Sequence, residues 1–153
     1  MRIAALLAAL MVSAAPALAC VCSPPETEAE KREIASRIAR SAAAIVDIDQ
    51  VSDMNWEGMR GETYRVVKVH FGSAPASFEL ARQFSRGPDG KVQLAMTSCD
   101  EVPPPGRRTT TVLYATDSPG KFRLGGTCDQ YFINEAGGIA AVIAAAGKPG
   151  ERG

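Results

Sequence analysis

The stretch Ala19-Cys20-Val21-Cys22-Ser23-Pro24-Pro25 constrains this chain more than any other. It sets two of the four cysteines one residue apart, where an export signal ends and a mature chain would begin. Arg2 supplies a short positive n-region and Ile3 to Val12 an apolar h-region too short to span a bilayer. Ala17-Leu18-Ala19 is a small-x-small cleavage motif. The sequence therefore predicts a signal peptide over residues 1–19 and Cys20 as the first residue of an exported protein. The short, Ala-rich signal has a bacterial character, which points to a periplasmic or extracellular location. No later stretch is apolar over the length of a membrane helix, so no transmembrane segment is expected.

An even cysteine count in an oxidising compartment implies two disulfides. Of the three possible pairings, Cys20–Cys22 would close a very small, strained ring and is set aside. The two remaining pairings stay open. Both tie the N-terminal segment to Cys99 and Cys128, and each bridge should stabilise the fold by about 2–4 kcal/mol. Chain ends normally fray; this one would become a rigid ridge.

Ser23-Pro24-Pro25 is stiff and extended. Thr27-x-x-Glu30 then reads as a capping box, and Ile34, Ala35, Ile38, Ala39 and Ala42 form an apolar stripe at helical spacing. Glu28/Arg32 and Glu33/Arg37 are expected as i,i+4 pairs on the solvated face. From Ala43 the period changes to two: Ala44, Val46 and Ile48 face one way, Asp47 and Asp49 the other. Residues 52–61 form a loop carrying Trp56, expected to act as a local anchor or partial lid. Glu62 to Phe71 is the strongest strand, with Val67, Val69 and Phe71 alternating with Lys68 and His70. Phe78 to Arg82 begins another, and Gly87-Pro88-Asp89-Gly90 is a turn. Val92, Leu94 and Met96 alternate into Thr97-Ser98-Cys99, and a proline-rich connection follows over 101–106. Thr109 to Ala115 is a β-branched run and Lys121 to Leu124 a return strand. A final helix is expected from about Asn134 to Ala146, with Ile139, Val142 and Ile143 on one face and Gly147 as its stop. This amounts to one mainly β domain over residues 20–147 and a flexible tail over 148–153. About five short strands with flanking N- and C-terminal helices suggest a closed or half-closed Greek-key barrel.

Catalysis has little material. His70 is the only histidine and reads as a strand-end surface residue, so a histidine-based site or triad has little support. There is no Gly-rich phosphate loop and no G-x-S-x-G. The charge is balanced, with 17 basic and 17 acidic residues, which gives no electrostatic footprint for nucleic acid. One reactive group remains. The α-amine of Cys20 would have a pKa near about 7.7–8.0, and its neutral form is a nitrogen ligand. With the carbonyl of the same residue it could chelate a metal held by another protein; a catalytic zinc with an open position is the natural acceptor.

These residues resemble the tissue inhibitors of metalloproteinases and the wider netrin-module group. Mature chains of that family begin Cys-x-Cys, as Cys20-Val21-Cys22 would. A helix and a first strand follow, then a strand ending in Gly like Tyr64 to Gly72. A segment like Thr97-Ser98-Cys99 comes next, then a strand, cysteine and aromatic like Phe122 to Phe132. The resemblance implies an OB-like five-stranded barrel with bridges Cys20–Cys99 and Cys22–Cys128. It implies that Cys20 ligates the protease zinc through its amine and carbonyl, with no cofactor of the protein's own. It further implies that Val21, in place of the usual Thr or Ser, enters the main specificity pocket. The protease-binding set would be Cys20, Val21, Cys22, Ser23, Thr97, Ser98 and Asp100, and the partner a zinc metalloendopeptidase.

Two other readings use the same residues differently. A non-inhibitory envelope interaction module on the same barrel would use the Trp56 loop or the Pro103 loop, and its Cys20 could carry a lipid anchor. Lipoprotein signals usually have Leu three residues before that cysteine, where this chain has Ala17. A small-ligand or metal-thiolate protein would need free thiols.

Overall fold

Thr27 starts the first helix in the expected way. Its hydroxyl accepts the Glu30 amide at 3.2 Å, and the Glu30 carboxylate accepts the Thr27 amide at 3.1 Å. The computed structural model describes residues 22–95, 99, 103, 105–135 and 137–147. In order they form α1 (Glu28–Ser41), β1 (Ala44–Ser52), β2 (Thr63–Gly72), β3 (Ser77–Leu80), β4 (Gln83–Arg86), β5 (Val92–Ala95), β6 (Thr109–Ala115), β7 (Lys121–Leu124), α2 (Thr127–Asn134) and α3 (Gly138–Ala146). The signal over 1–19, Cys20, Val21, Thr97, Ser98, Asp100 and the tail 148–153 lie outside the described residues.

Five strands close a barrel in the order β1-β2-β3-β7-β6. Neighbours are antiparallel except β3 and β7, which run parallel. The interior takes Ala44, Val46 and Ile48 from β1, Tyr64 from β2, Phe78 and Leu80 from β3, and Leu113 from β6. Phe78 joins the aromatics: Tyr64 stacks on it at 5.6 Å and Phe122 meets it edge-on at 5.5 Å. Ile45 and Val112 point out of the same strands and form a second core with Ala35 and Ile38 of α1, Phe132 and Ile133 of α2, and Val142 of α3. Strand alternation thus supplies two cores at once, one inside the barrel and one beneath the helices. Ile38 is fully buried in the second, and truncating it to Ala should cost about 2–5 kcal/mol.

Several expectations change. The run Phe78–Arg82 divides: β3 ends at Leu80 and a second strand, β4, begins at Gln83. β4 pairs with β5 as a separate two-stranded hairpin, so Val92–Ala95 is not a barrel strand. The C-terminal helix starts later than expected, at Gly138, and a separate helix, α2, occupies Thr127–Asn134, where none was expected. Gly137 turns the chain with φ 86°, and Gly138 abuts the Phe132 carbonyl with no room for a side chain. Ile143 does not share the buried face with Val142; it is 47% exposed. Val67 and Val69 are exposed too, because register shifts along β1–β2 send Tyr64 and Val66 inward instead.

Candidate functional site

Cys22 and Cys128 are joined, with Cα atoms 5.1 Å apart and 106 residues of separation. Cys128 is the second residue of α2, so the N-terminal segment is stapled to the start of a helix. Cys99 reaches the same point by its backbone: its carbonyl accepts the Thr127 amide at 3.3 Å and the Thr127 hydroxyl at 3.2 Å. The fold therefore gathers Cys22, Cys99 and Cys128 around the first turn of α2. Ser23 beside them is exposed, as is Cys99. None of the described cysteines is a free thiol, so a thiolate ligand set has no material among them.

The platform beneath this cluster is built from groups that sequence reasoning did not single out. Asp129, almost buried, accepts Arg37 from α1 at 2.6 Å and the Tyr114 hydroxyl from β6 at 2.7 Å. Arg37 was expected to pair with Glu33 on its own helix; it crosses to α2 instead, where the partner is less solvated and the ion pair stronger. Burial, then the hydrogen bond and charge of Asp129, push the Tyr114 hydroxyl up to about 12. Next along α2, Gln130 donates to the Thr111 hydroxyl, and the preceding Gly125 amide donates to the Val112 carbonyl at 2.8 Å. The signal for this platform was Gly125-Gly126-Thr127-Cys128-Asp129. A helix start with an acid in its first turn is legible there; the acid's partners are not, because they lie 15 and 92 residues away.

A second feature lies on the β4–β5 hairpin. Trp56, half exposed, meets Phe84 edge-on at 6.1 Å. The contact joins the loop between β1 and β2 to strand β4. β5 is followed, after three residues, by Cys99.

Other polar groups pair with one another on and beside the barrel. Glu62 and Arg82 form a bidentate pair at 2.8 and 3.0 Å, both side chains 7% exposed. On the outer barrel wall, Asp49 is shared by Arg65 and Arg108. Asp47 bonds His70 at 2.8 Å and Thr110 at 2.7 Å. His70 is thus a half-buried ladder residue rather than a free surface group. Among the described residues there is no cluster of three metal-ligating side chains, and no helix is long and apolar enough to cross a membrane. Comparisons with protein-family models, with curated proteins and with solved structures return no match.

Proposed function

We propose that this is an exported binding protein of the metalloendopeptidase-inhibitor type, acting through its mature N-terminus. The observation that carries the reading is the convergence of Cys22, Cys99 and Cys128 on the first turn of α2. In this reading Cys20 pairs with Cys99 as a second bridge, as the resemblance implies. Two bridges leaving residues 20 and 22 would hold the leading residue against the α2 platform, with Val21 between them. The strand order and the one parallel closure, β3 with β7, support an OB-like Greek-key barrel as the scaffold.

In this reading the Cys20 amine and carbonyl displace the nucleophilic water of a protease zinc. Val21 fills an apolar specificity pocket, while Ser23, Thr97, Ser98 and Asp100 flank the contact. A pre-stapled edge loses little conformational entropy on docking. The amine ligates only when neutral, so inhibition should weaken as pH falls below about 7.7.

Intact mass of the exported protein gives the cleavage point, the acylation state and the number of disulfides. The expected mass begins at Cys20, carries no acyl group and lacks four thiol hydrogens. A one-alanine extension before Cys20 should abolish inhibition of a zinc endopeptidase. Full inhibition by the extended form, or an acyl adduct on Cys20, ends the chelation reading.

A second reading, a non-inhibitory envelope interaction module, is favoured by the half-exposed Trp56 against Phe84. It expects capture of an envelope partner that is lost in Trp56→Ala, with no metalloprotease affected.

A further inference from the structure

Helix α3, Gly138–Ala146, carries no polar side chain at all. A helix that is apolar all round is normally buried on every side. Here Ala140, Ala144 and Ala146 are exposed and Ile143 is 47% exposed. Beside them a groove of about 950 Å³ runs between α3 and α1, floored by Ala39, Phe71, Ala141 and Ala144. Its volume lies in the range of small-molecule sites.

The rim gives the ligand its charge. Lys31, Arg32 and Arg40 line the groove with one acid, Glu28. Among the described residues none of the three cations forms an ion pair. Lys31 is placed unusually. A Cβ on Gly137, the residue that caps α3, would stand 3.7 Å from the Lys31 ammonium. The N-terminus of α3 has no side-chain cap and no acidic residue in its first turn. An ammonium therefore stands beside the positive pole of a helix without an ion-pair partner among the described residues, an arrangement that an anion would relieve. Lys31 and Arg40 are about 14 Å apart along α1 at 1.5 Å per residue, so the apolar floor between the cations is long enough for an extended chain.

We propose that the α1/α3 groove binds a monomeric anionic amphiphile. A single acyl chain lies on the alanine floor, and its carboxylate sits between Lys31 and the first turn of α3. This site is separate from the cysteine cluster, so it stands or falls independently of the inhibitor reading.

Isothermal titration of the mature, disulfide-intact protein with dodecanoate tests it, with dodecanol as the neutral probe of the same chain length. Single-site micromolar binding of the acid is expected, at least about tenfold tighter than the alcohol. Lys31→Glu should weaken dodecanoate about tenfold, and Ala144→Trp, on an exposed groove position, should block the floor; thermal melts confirm that both variants fold. No saturable binding, equal affinity for acid and alcohol, or unchanged affinity in both folded variants overturns the proposal. So does binding to phosphatidylglycerol vesicles without binding to the monomeric acid, which would make the face a membrane contact. Dimerisation of the ligand-free protein that Ala144→Trp abolishes would likewise overturn it, by assigning the groove to a second copy.

Discussion

The Cys99 carbonyl accepts two hydrogen bonds from one residue, Thr127, whose amide and hydroxyl approach it at 3.3 and 3.2 Å. That pairing fixes the Cys99 backbone to the helix turn that carries Cys128. Thr127→Val keeps the side-chain shape and the amide but removes the hydroxyl donor. We expect a loss of about 1 kcal/mol in urea unfolding, the ordinary worth of one such bond. If the inhibitor reading is right, the same variant also dissociates faster from its protease, because the ridge is less firmly held. Unchanged stability would show that the hydroxyl bond contributes nothing.

The Cys22–Cys128 bridge closes a loop of 106 residues. Long loops are the ones whose closure most restricts the unfolded chain, so the double variant Cys22→Ser/Cys128→Ser should lose about 2–5 kcal/mol. Chemical denaturation with oxidised protein measures it. Hydrogen exchange should show the loss concentrated at residues 22–27 and the first turn of α2, since those are the two ends the bridge joins.

How far the sequence foretells this fold depends on whether a signal is local. The capping box at Thr27, the alternation of Ala44, Val46 and Ile48, and the turn at Gly87–Gly90 are all short-range patterns, and each is found where expected. The late start of α3 is also a local signal, hidden because Gly137-Gly138 leads into an apolar, alanine-rich run, and α2 escapes notice because its stretch is short and mixed in character. Barrel closure by β3 and β7 and the outward turn of Val67 and Val69 come from register across strands, which no local period encodes. The candidate site divides in the same way. The cysteines announce themselves by type, whereas Arg37, Tyr114 and Asp129 look like ordinary solvated or strand residues until the fold brings them together.

Glu62 and Arg82 give the protein an acid limit. Burial opposes ionisation of Glu62, but the Arg82 hydrogen bonds, a backbone hydrogen bond and the Arg82 charge outweigh it and hold the carboxyl below its ordinary 4.5. The folded state therefore binds fewer protons than the unfolded chain. The stabilisation is complete above about pH 5 and is lost as pH falls through the lowered folded-state value. Asp47 and Glu79 are also held below their ordinary values and act in the same direction. Glu62→Gln should flatten the acid side of the stability–pH curve. Arg82→Ala should cost about 3–5 kcal/mol at neutral pH, because it strands a buried carboxylate. An Arg82→Met/Glu62→Leu double variant that is as unstable as the single one would show that the cost comes from packing rather than charge.

Tyr114 and Tyr64 should both resist ionisation. Burial is the main cause in each, reinforced at Tyr114 by Asp129 and at Tyr64 by Glu62, and both hydroxyls are pushed up to about 12. With three tyrosines in the chain, an ultraviolet titration of the folded protein should show most of the phenolate signal only near pH 12. Tyr114→Phe removes a hydrogen bond to a carboxylate and should cost about 1.5–3 kcal/mol. A full tyrosine signal appearing near the ordinary 10.0, in protein that circular dichroism shows to be folded, would contradict the burial of both rings.

Trp56 is the only tryptophan, which makes its contact with Phe84 directly observable. A two-stranded hairpin is marginal on its own in water, and β4–β5 shares no sheet with the barrel. The Trp56–Phe84 edge contact is therefore expected to carry much of the hairpin's attachment, with an aromatic pair worth about 0.5–1.5 kcal/mol beyond area burial. In Phe84→Ala the tryptophan emission should shift to the red, and amides of β4 and β5 should exchange faster, while those of β1 and β6 keep their protection. Global unfolding midpoints should move little, because neither barrel core contains these rings. If barrel and hairpin amides instead lost protection together, the hairpin would have to be a cooperative part of the barrel rather than a separately attached arm.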